Sequence, residues 1–381
     1  MAERSTRMTT PAQVDDRRDS ETRYVYSQWR LMWLKLRKHR PAMISLYFLI
    51  AVYLVAIFAE FVAPSDPYHR LTEYLLAPPV RVRFVDAEGG FSLRPFVYGL
   101  TPVIDQKTFL RTYVPDTETK EPVRLLVRSH PYKLWGLIPA RVHLVGVRDA
   151  DAPFFLLGSD RQGRDLLSRM IYASRVSLSI GFIGVALSFL LGIFLGGVSG
   201  WYGGIVDTAI QRFIEILRSF PTLPLWMALA VALPPQWPII RTYFAITVIL
   251  SVLGWTGMAR VVRGKFLALR NEDFVVAAQQ ANAPTSRILF RHLLPSFTSH
   301  LIATATLSIP EMVLAETALS FLGIGLRAPA ISWGVMLQKA QNIQSVAVTP
   351  WLLLPVLCVI AVVLAFNFLG DGLRDAADPY R

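Results

Sequence analysis

The sequence predicts an all-α polytopic membrane protein, with six transmembrane helices and a small external β-rich module between the first and second. Three observations predict it. Of 381 residues, 53% are hydrophobic and only 17% charged, where a water-soluble chain carries about a quarter charged residues, and the mean hydropathy is +0.41. The apolar residues gather in uncharged runs long enough to cross a hydrocarbon core of about 30 Å. Basic residues flank those runs, where anionic headgroups and the positive-inside rule favour them. The net charge of +12 is therefore spread along the membrane boundary and not gathered in one folded patch, so no nucleic-acid partner is expected.

Residues 1–22 are polar and unpatterned, a disordered cytoplasmic tail. Segment 23–41 mixes Trp29, Trp33, Leu34 and Leu36 with Arg30, Lys35, Arg37, Lys38 and Arg40. That composition suits an amphipathic helix lying along the headgroups, and it also serves as a positive flank for topology. The first span covers 42–63. About forty residues precede it and Phe61 spoils the small-residue cut at Ala63, so it reads as a retained anchor and not a cleaved signal.

Residues 64–157 have a different texture. Val80–Asp86, Phe109–Val114, Val123–Arg128 and Arg141–Val147 are β-prone and separated by turn residues, which reads as a small external β-rich module or, alternatively, as an irregular loop packed on the membrane domain. The remaining spans are expected near Val176–Val198, Ile210–Leu233, Tyr243–Met258, His300–Leu322 and Leu352–Leu369, within a core of 158–381. Pro221 and Pro224 interrupt the third span, and the fourth is short. The basic residues before span one and those between spans four and five (Arg260, Arg263, Lys265, Arg270, Arg287, Arg291) fall on one side, which must be the cytoplasm. Both termini are then cytoplasmic.

Several chemistries are missing. There is no phosphate-cradling G-x-x-x-x-G-K-[ST] loop, no H-E-x-x-H and no G-x-S-x-G elbow. Cys358 is the single cysteine, so neither a disulfide nor a Cys-based metal site is available. No catalytic residue, cofactor or metal is expected.

The informative segment is cytoplasmic, about 271–284. Glu272 and Asp273 favour a helix N-terminus, Val276, Ala277 and Ala278 continue it, and Pro284 would end it. The small Ala277-Ala278 step permits close approach of a partner. This segment resembles the coupling loop of ABC-importer permeases, whose pattern is Glu-Ala-Ala, a Gly four residues after the second Ala, then a basic or His residue and Leu-Pro. Here Val276 stands at the Glu and Asn282 at the Gly, with His292 and Leu294-Pro295 following. Glu272 and Asp273 share the helical face of Val276 and can substitute for the missing charge. Asn tolerates the left-handed conformation a Gly would supply.

Four further stretches are similar to the C-type permease subunits of oligopeptide and dipeptide importers. They are Leu157 to Arg169, Gly200 to Asp207, Glu316 to Gly323, and Gly370 to Asp375 with Asp378-Pro379. The resemblance implies a type I ABC importer fold and an inner-membrane location. It implies a second homologous permease, two ATPase subunits, an external substrate-binding protein and alternating access. It also implies that Glu272, Asp273, Val276, Ala277, Ala278, Asn282, Ala283, Arg287, His292 and Pro295 form the ATPase-coupling surface. Cargo in that family is mainly peptides, with oligosaccharides or nickel chelates as alternatives.

Ionisable residues inside spans need a partner or a cavity. Glu215 and Arg218 can pair on one face of span three. Glu311 and Glu316 follow Pro310 in span five, and Glu316 either faces the path or partner subunit or is hydrogen-bonded within this chain. Arg164 and Asp165 can pair at the outer surface, and Gly203-Gly204 and Gly370/Gly372 read as turn or cap residues. Two other classes stay open: an ion-coupled secondary transporter, which would show paired broken helices, and a membrane-anchored interaction protein built around the external module.

Overall fold

The structure is a computed structural model describing residues 28–104, 106, 111–149, 151–342 and 347–377. The tail 1–22, residues 23–27 of the second segment, Phe109 and Leu110, and Asp378-Pro379 lie outside the described residues.

The chain opens with α1 (Gln28–Lys38), then α2 (Arg40–Ile57) and the short α3 (Ala59–Val62). His39 starts α2 by accepting the Ala42 N–H on its side chain at 3.2 Å, with Pro41 in the first turn. Proline suits that position because its missing N–H would have no helical partner there. On α1, Met32 and Leu36 are buried against Ala42 and Ala376, while Trp29 and Trp33 stay exposed.

Among the described residues five strands follow: β1 (Arg83–Val85), β2 (Phe91–Ile104), β3 (Arg111–Pro122), β4 (Arg124–Leu134) and β5 (Ile138–Gly146). They form an antiparallel β1-β2-β3 sheet and a separate β4-β5 hairpin. The sequence analysis anticipates four strands and misses β2. Pro95, Gly99 and Pro102 argue against a strand there. Pro102 is accommodated because β1 pairs only with Phe91 to Phe96, leaving one edge of β2 open beyond it.

The helical bundle comprises α4 (Leu166–Tyr202), α5 (Gly204–Ser219), α6 (Thr222–Val231), α7 (Ile239–Leu269), α8 (Asp273–Gln280), α9 (Thr285–Arg287), a π-type stretch Ile288–Leu293, α10 (Leu294–Ser296), α11 (Thr298–Phe321), α12 (Trp333–Gln338) and α13 (Leu354–Ala377). Among the described residues five helices are long and apolar enough to cross a membrane, and α5 with α6 makes a sixth candidate bent by 85°. The bend falls at Phe220-Pro221, whose extended conformation follows from the proline. The fourth candidate, α7, is longer than the sequence suggests. Its basic C-terminal half (Arg260, Arg263, Lys265) continues the helix past the apolar run.

Helices α4 and α7 run parallel and in close contact. A Cβ on Gly192 would approach the Met258 Cβ to 2.6 Å, and one on Gly200 would approach the Phe266 Cβ to 2.7 Å. Gly196, between them, faces the Ala259 carbonyl. This stripe of glycines lets the two backbones meet where lipid offers no hydrophobic drive for association. Gly370 and Gly372 are not caps. They sit inside α13, and a side chain at either would collide with Leu307 or Ala42. Their role is close packing, which is invisible until the neighbouring helices are placed. Gly203 and Gly204 do form the turn between α4 and α5, with φ of 64° and 55°.

The direction of the helices sorts the molecule into two ends. Helix α4 leaves the β module and α7 runs alongside it in the same sense, so 270–296 lies at the end away from the module. Helix α13 likewise starts near Ser159, which accepts the Trp351 indole N–H at 3.1 Å, and ends beside α1. The β module therefore occupies one end of the bundle, and α1, α8 and the end of α13 occupy the other.

Candidate functional site: the α8 surface and the buried bundle centre

Helix α8 is short and capped at its C-terminus. Asn282 has φ of 54°. The Ala283 N–H donates to the Ala278 carbonyl at 3.1 Å and the Asn282 N–H to that of Gln279 at 2.9 Å. This pair of bonds is a Schellman cap, in which a left-handed residue reverses the chain and satisfies the last carbonyls. The helix accordingly stops at Gln280, with Asn282 and not Pro284 ending it. Pro284 instead begins the next turn, α9.

Val275, fully buried, anchors α8 to Val262, Phe266, Ile288, Leu293 and Phe297, with Ala278 and Ala283 half-buried beside it. Phe266 and Phe297 pack edge to face at 5.9 Å between ring centroids. Around Val275 the exposed positions are Glu272, Asp273, Phe274, Val276 and Ala277. Asn282, Arg287 and Pro295 are exposed and His292 is half-buried. Sequence reasoning misses Val275 and Phe274. The signal available was the 275/278 spacing, an apolar face one residue out of step with the expected Val276-Ala277 surface.

At the bundle centre Glu316 is fully buried on α11. Ser177 of α4 donates to one carboxylate oxygen at 3.1 Å and Ser320 donates to the other at 2.8 Å. Ser177 in turn accepts the Trp333 N–H and Ser320 the Leu326 N–H. The carboxyl thus ties α4, α11 and the segment entering α12 together within one chain. Glu311, one turn earlier, is on an open face. It lines a cleft of about 320 Å³ with Arg218, Phe220, Trp226, Gly254 and Met312. Glu215 pairs with Arg212 at 2.7 Å and not with Arg218. Both spacings are three residues on a helix, and Arg218 points toward the cleft instead.

The segment Leu157 to Arg169 joins the module to the bundle. Arg164 pairs with Asp160 at 2.5 Å and both are buried; Asp165 is not its partner but caps α4, accepting the Ser168 N–H at 2.8 Å. Burial raises the Asp160 carboxyl, but the Arg164 hydrogen bond and the charges of Arg164 and Arg169 hold it below the usual carboxylate range. Arg169 also donates to the Pro67 carbonyl at 3.0 Å. At the other end of the bundle, Asp207 on α5 accepts two bonds from Arg263 on α7 and one from Ser199.

The bundle and its two ends define a multi-pass membrane component, with one candidate span broken and a capped helix presented at one end. Residues 188–380 match the family of binding-protein-dependent transport system inner membrane components, and the chain belongs to that family. Residues 27–79 match the N-terminal TM domain of oligopeptide transport permease C. The chain is 31% identical to the dipeptide transport system permease protein DppC of Haemophilus influenzae over 91% of its own length and 93% of that protein's. It is 31% identical to the di/tripeptide permease DppC of Pseudomonas aeruginosa over 94% and 95%. With the oligopeptide permease OppC of Haemophilus influenzae it shares 38% identity over 64% and 74%. A solved structure of the MetNI methionine ABC transporter aligns with a TM-score of 0.42 at 19% identity, over 54% of this chain and 95% of that one.

Proposed function

We propose that this chain is the permease subunit of an ATP-driven importer of peptides, forming half of the translocation path with a second, homologous permease. The observation that carries the reading is the capped helix α8. It is anchored by Val275, ends in a left-handed Asn282, and exposes Phe274, Val276 and Ala277 away from the β module. A knob of that kind, held rigidly to the end of α7, transmits force from a docked partner into the bundle. Two cytoplasmic ATPases would grip it, and their closure on ATP would rock the spans between inward- and outward-open states. The end bearing α1, α8 and the chain's C-terminal segment is then cytoplasmic, and the β module faces an external binding protein. Peptide cargo rests on the relatives, whose names specify dipeptides, di/tripeptides and oligopeptides.

Glu311, Arg218 and Trp226 around the open cleft are assigned to the path or to the partner permease, while Glu316 is assigned a structural role. The chain itself changes no bond; hydrolysis belongs to the ATPases. The test is purification from the native membrane followed by uptake in vesicles. ATPases carrying a P-loop are expected to co-purify. Ala277→Trp is expected to insert normally and to abolish labelled-peptide uptake while ATP hydrolysis persists. Normal uptake with Ala277→Trp would remove α8 as the docking surface.

A further inference from the structure

The β4-β5 hairpin lies along the end of the first span with its tip directed at the bilayer. Three contacts set this direction. Gly146, at the open end of the hairpin, faces the Pro64 carbonyl. His143 hydrogen-bonds the Ala63 carbonyl through its Nδ1 at 2.7 Å. At the tip, the Trp135 indole N–H donates to the Ile57 carbonyl at 2.8 Å. Ile57 is the last residue of α2, and its carbonyl also accepts from Arg175 at 3.0 Å. Arg175 pairs with Glu60 at 2.6 Å, and the Trp135 backbone also hydrogen-bonds Glu60, so the tip docks at the level of this ion pair. Moving along the hairpin from Gly146 to Trp135 therefore means moving from outside the membrane to the depth of Ile57.

The tip is apolar and uncovered. Leu137 is 80% exposed, and Trp135 and Ile138 are each about half exposed. Trp135 and Gly136 both adopt positive φ, 52° and 74°. A bulky aromatic is uncommon in that region, where Asn or Gly would be the economical choice for a turn. What holds it is its docking: the indole bond to Ile57 and a tilted ring contact with Phe58 at 5.6 Å between centroids. The neighbouring surface of α2 is lipid-facing in character, with Tyr47, Ile50, Leu54 and Ile57 all exposed. The tip prolongs that apolar belt sideways. Exposed Lys133 sits just behind it, suited to reach headgroup phosphates while its stem lies on apolar surface. Trp at this level matches the preference of indole for the membrane–water boundary.

We infer that the Trp135-Gly136-Leu137-Ile138 tip is a membrane anchor that dips into the leaflet on its own side and fixes the external module against the first span. The occupant of this surface is lipid, since the patch is continuous with the lipid-facing side of α2. The test is site-directed spin labelling of the full chain in lipid nanodiscs, with the subunits that co-purify with it. In a Cys358→Ala background, nitroxides are placed at Leu137→Cys, at Leu54→Cys as a lipid reference and at Glu88→Cys as an aqueous one. All three target positions are exposed, so the fold is not at stake. The Leu137 label is expected to behave like Leu54, with oxygen collisions several-fold favoured over those of a water-soluble nickel complex relative to the Glu88 label. Nickel-favoured collisions would place the tip in water and overturn the anchor. Low collision rates with both reagents would mean a protein partner covers the tip, and would overturn it equally. None of these outcomes bears on the cargo or the ATPases.

Discussion

Arg263 closes two of its nitrogens on the Asp207 carboxylate, at 2.5 and 2.6 Å, and so ties the start of the broken span to the helix that leads into α8. Ser199, at the end of α4, also donates to Asp207. One carboxylate thereby couples three helices just before the surface assigned to the ATPases. Under the proposed function, motion of α8 would reach the kinked α5-α6 pair through this joint.

Breaking the joint from one side leaves a partly buried charge unpaired. Asp207→Asn is expected to destabilise the chain by about 1.5–3 kcal/mol, the range for hydrogen bonds to charged groups. Arg263→Met in addition should cost much less than the sum of the two single changes. Thermal unfolding of the two single variants and the double variant checks this, and strictly additive losses would argue against a coupled pair.

Asn282 is expected to accept glycine without loss, because glycine populates positive φ freely. Asn282→Val should cost about 1–2 kcal/mol, since a β-branched residue resists the left-handed region. The readout is protease sensitivity of the 270–296 segment beside peptide uptake. If Val is as good as Gly, the cap does not hold α8.

Glu316→Gln keeps an acceptor for Ser177 or Ser320, and is expected to retain most of the stability. Glu316→Leu strands both hydroxyls in the buried centre and should cost about 1–3 kcal/mol for each group left unsatisfied. A Leu variant as stable as the Gln variant would contradict the structural role given to this residue. A Gln variant that folds fully but fails to transport would assign it to the path instead.

Asp165 supplies a pH dependence with a definite sign. Burial pushes its carboxyl up to about 6, against the hydrogen bonds from Ser168. Between its ordinary value of about 3.9 and that level the folded chain keeps a proton that the unfolded chain releases. The stabilising contribution is complete below about pH 4 and is lost as pH rises through about 6. Asp165→Asn retains a capping oxygen and removes the titration. Relative to that variant, the wild type is expected to lose up to about 3 kcal/mol between about pH 4 and about pH 7. Unfolding midpoints of both proteins across that range measure it, and a constant difference would refute the assignment.

Gly196→Leu is expected to separate α4 from α7, because its side chain would enter the Ala259 backbone. Overpacking of this kind costs about 1–3 kcal/mol when neighbours can shift, and a carbonyl in a helix cannot shift far. Loss of the folded, detergent-extractable form is the readout; normal yield would show that the helices have slack here.

Much of this molecule was legible in the chain. The apolar runs, the basic flanks, the β texture of the external segment and the short helix near 271–284 follow from periodicity and composition. These signals are local, and a bilayer or a turn selects for them within a few residues. Even the exceptional Asn282 was readable through the resemblance, which puts a Gly at its position, together with the tolerance of Asn for that conformation. What the sequence left open concerned which of several available partners each side chain takes. Glu215 takes Arg212 and not Arg218, Arg164 takes Asp160 and not Asp165, and Gly370 and Gly372 serve helix packing and not capping. Glu316 had two readings, and only the arrival of Ser177 from 139 positions earlier chose between them. Nothing in the sequence singles out Trp135, whose place is set by the hairpin laying its indole on the Ile57 carbonyl. The division has a physical cause. Hydropathy and backbone preference act along the chain, whereas ion pairing, hydrogen-bond satisfaction and close packing depend on which surfaces the fold brings together.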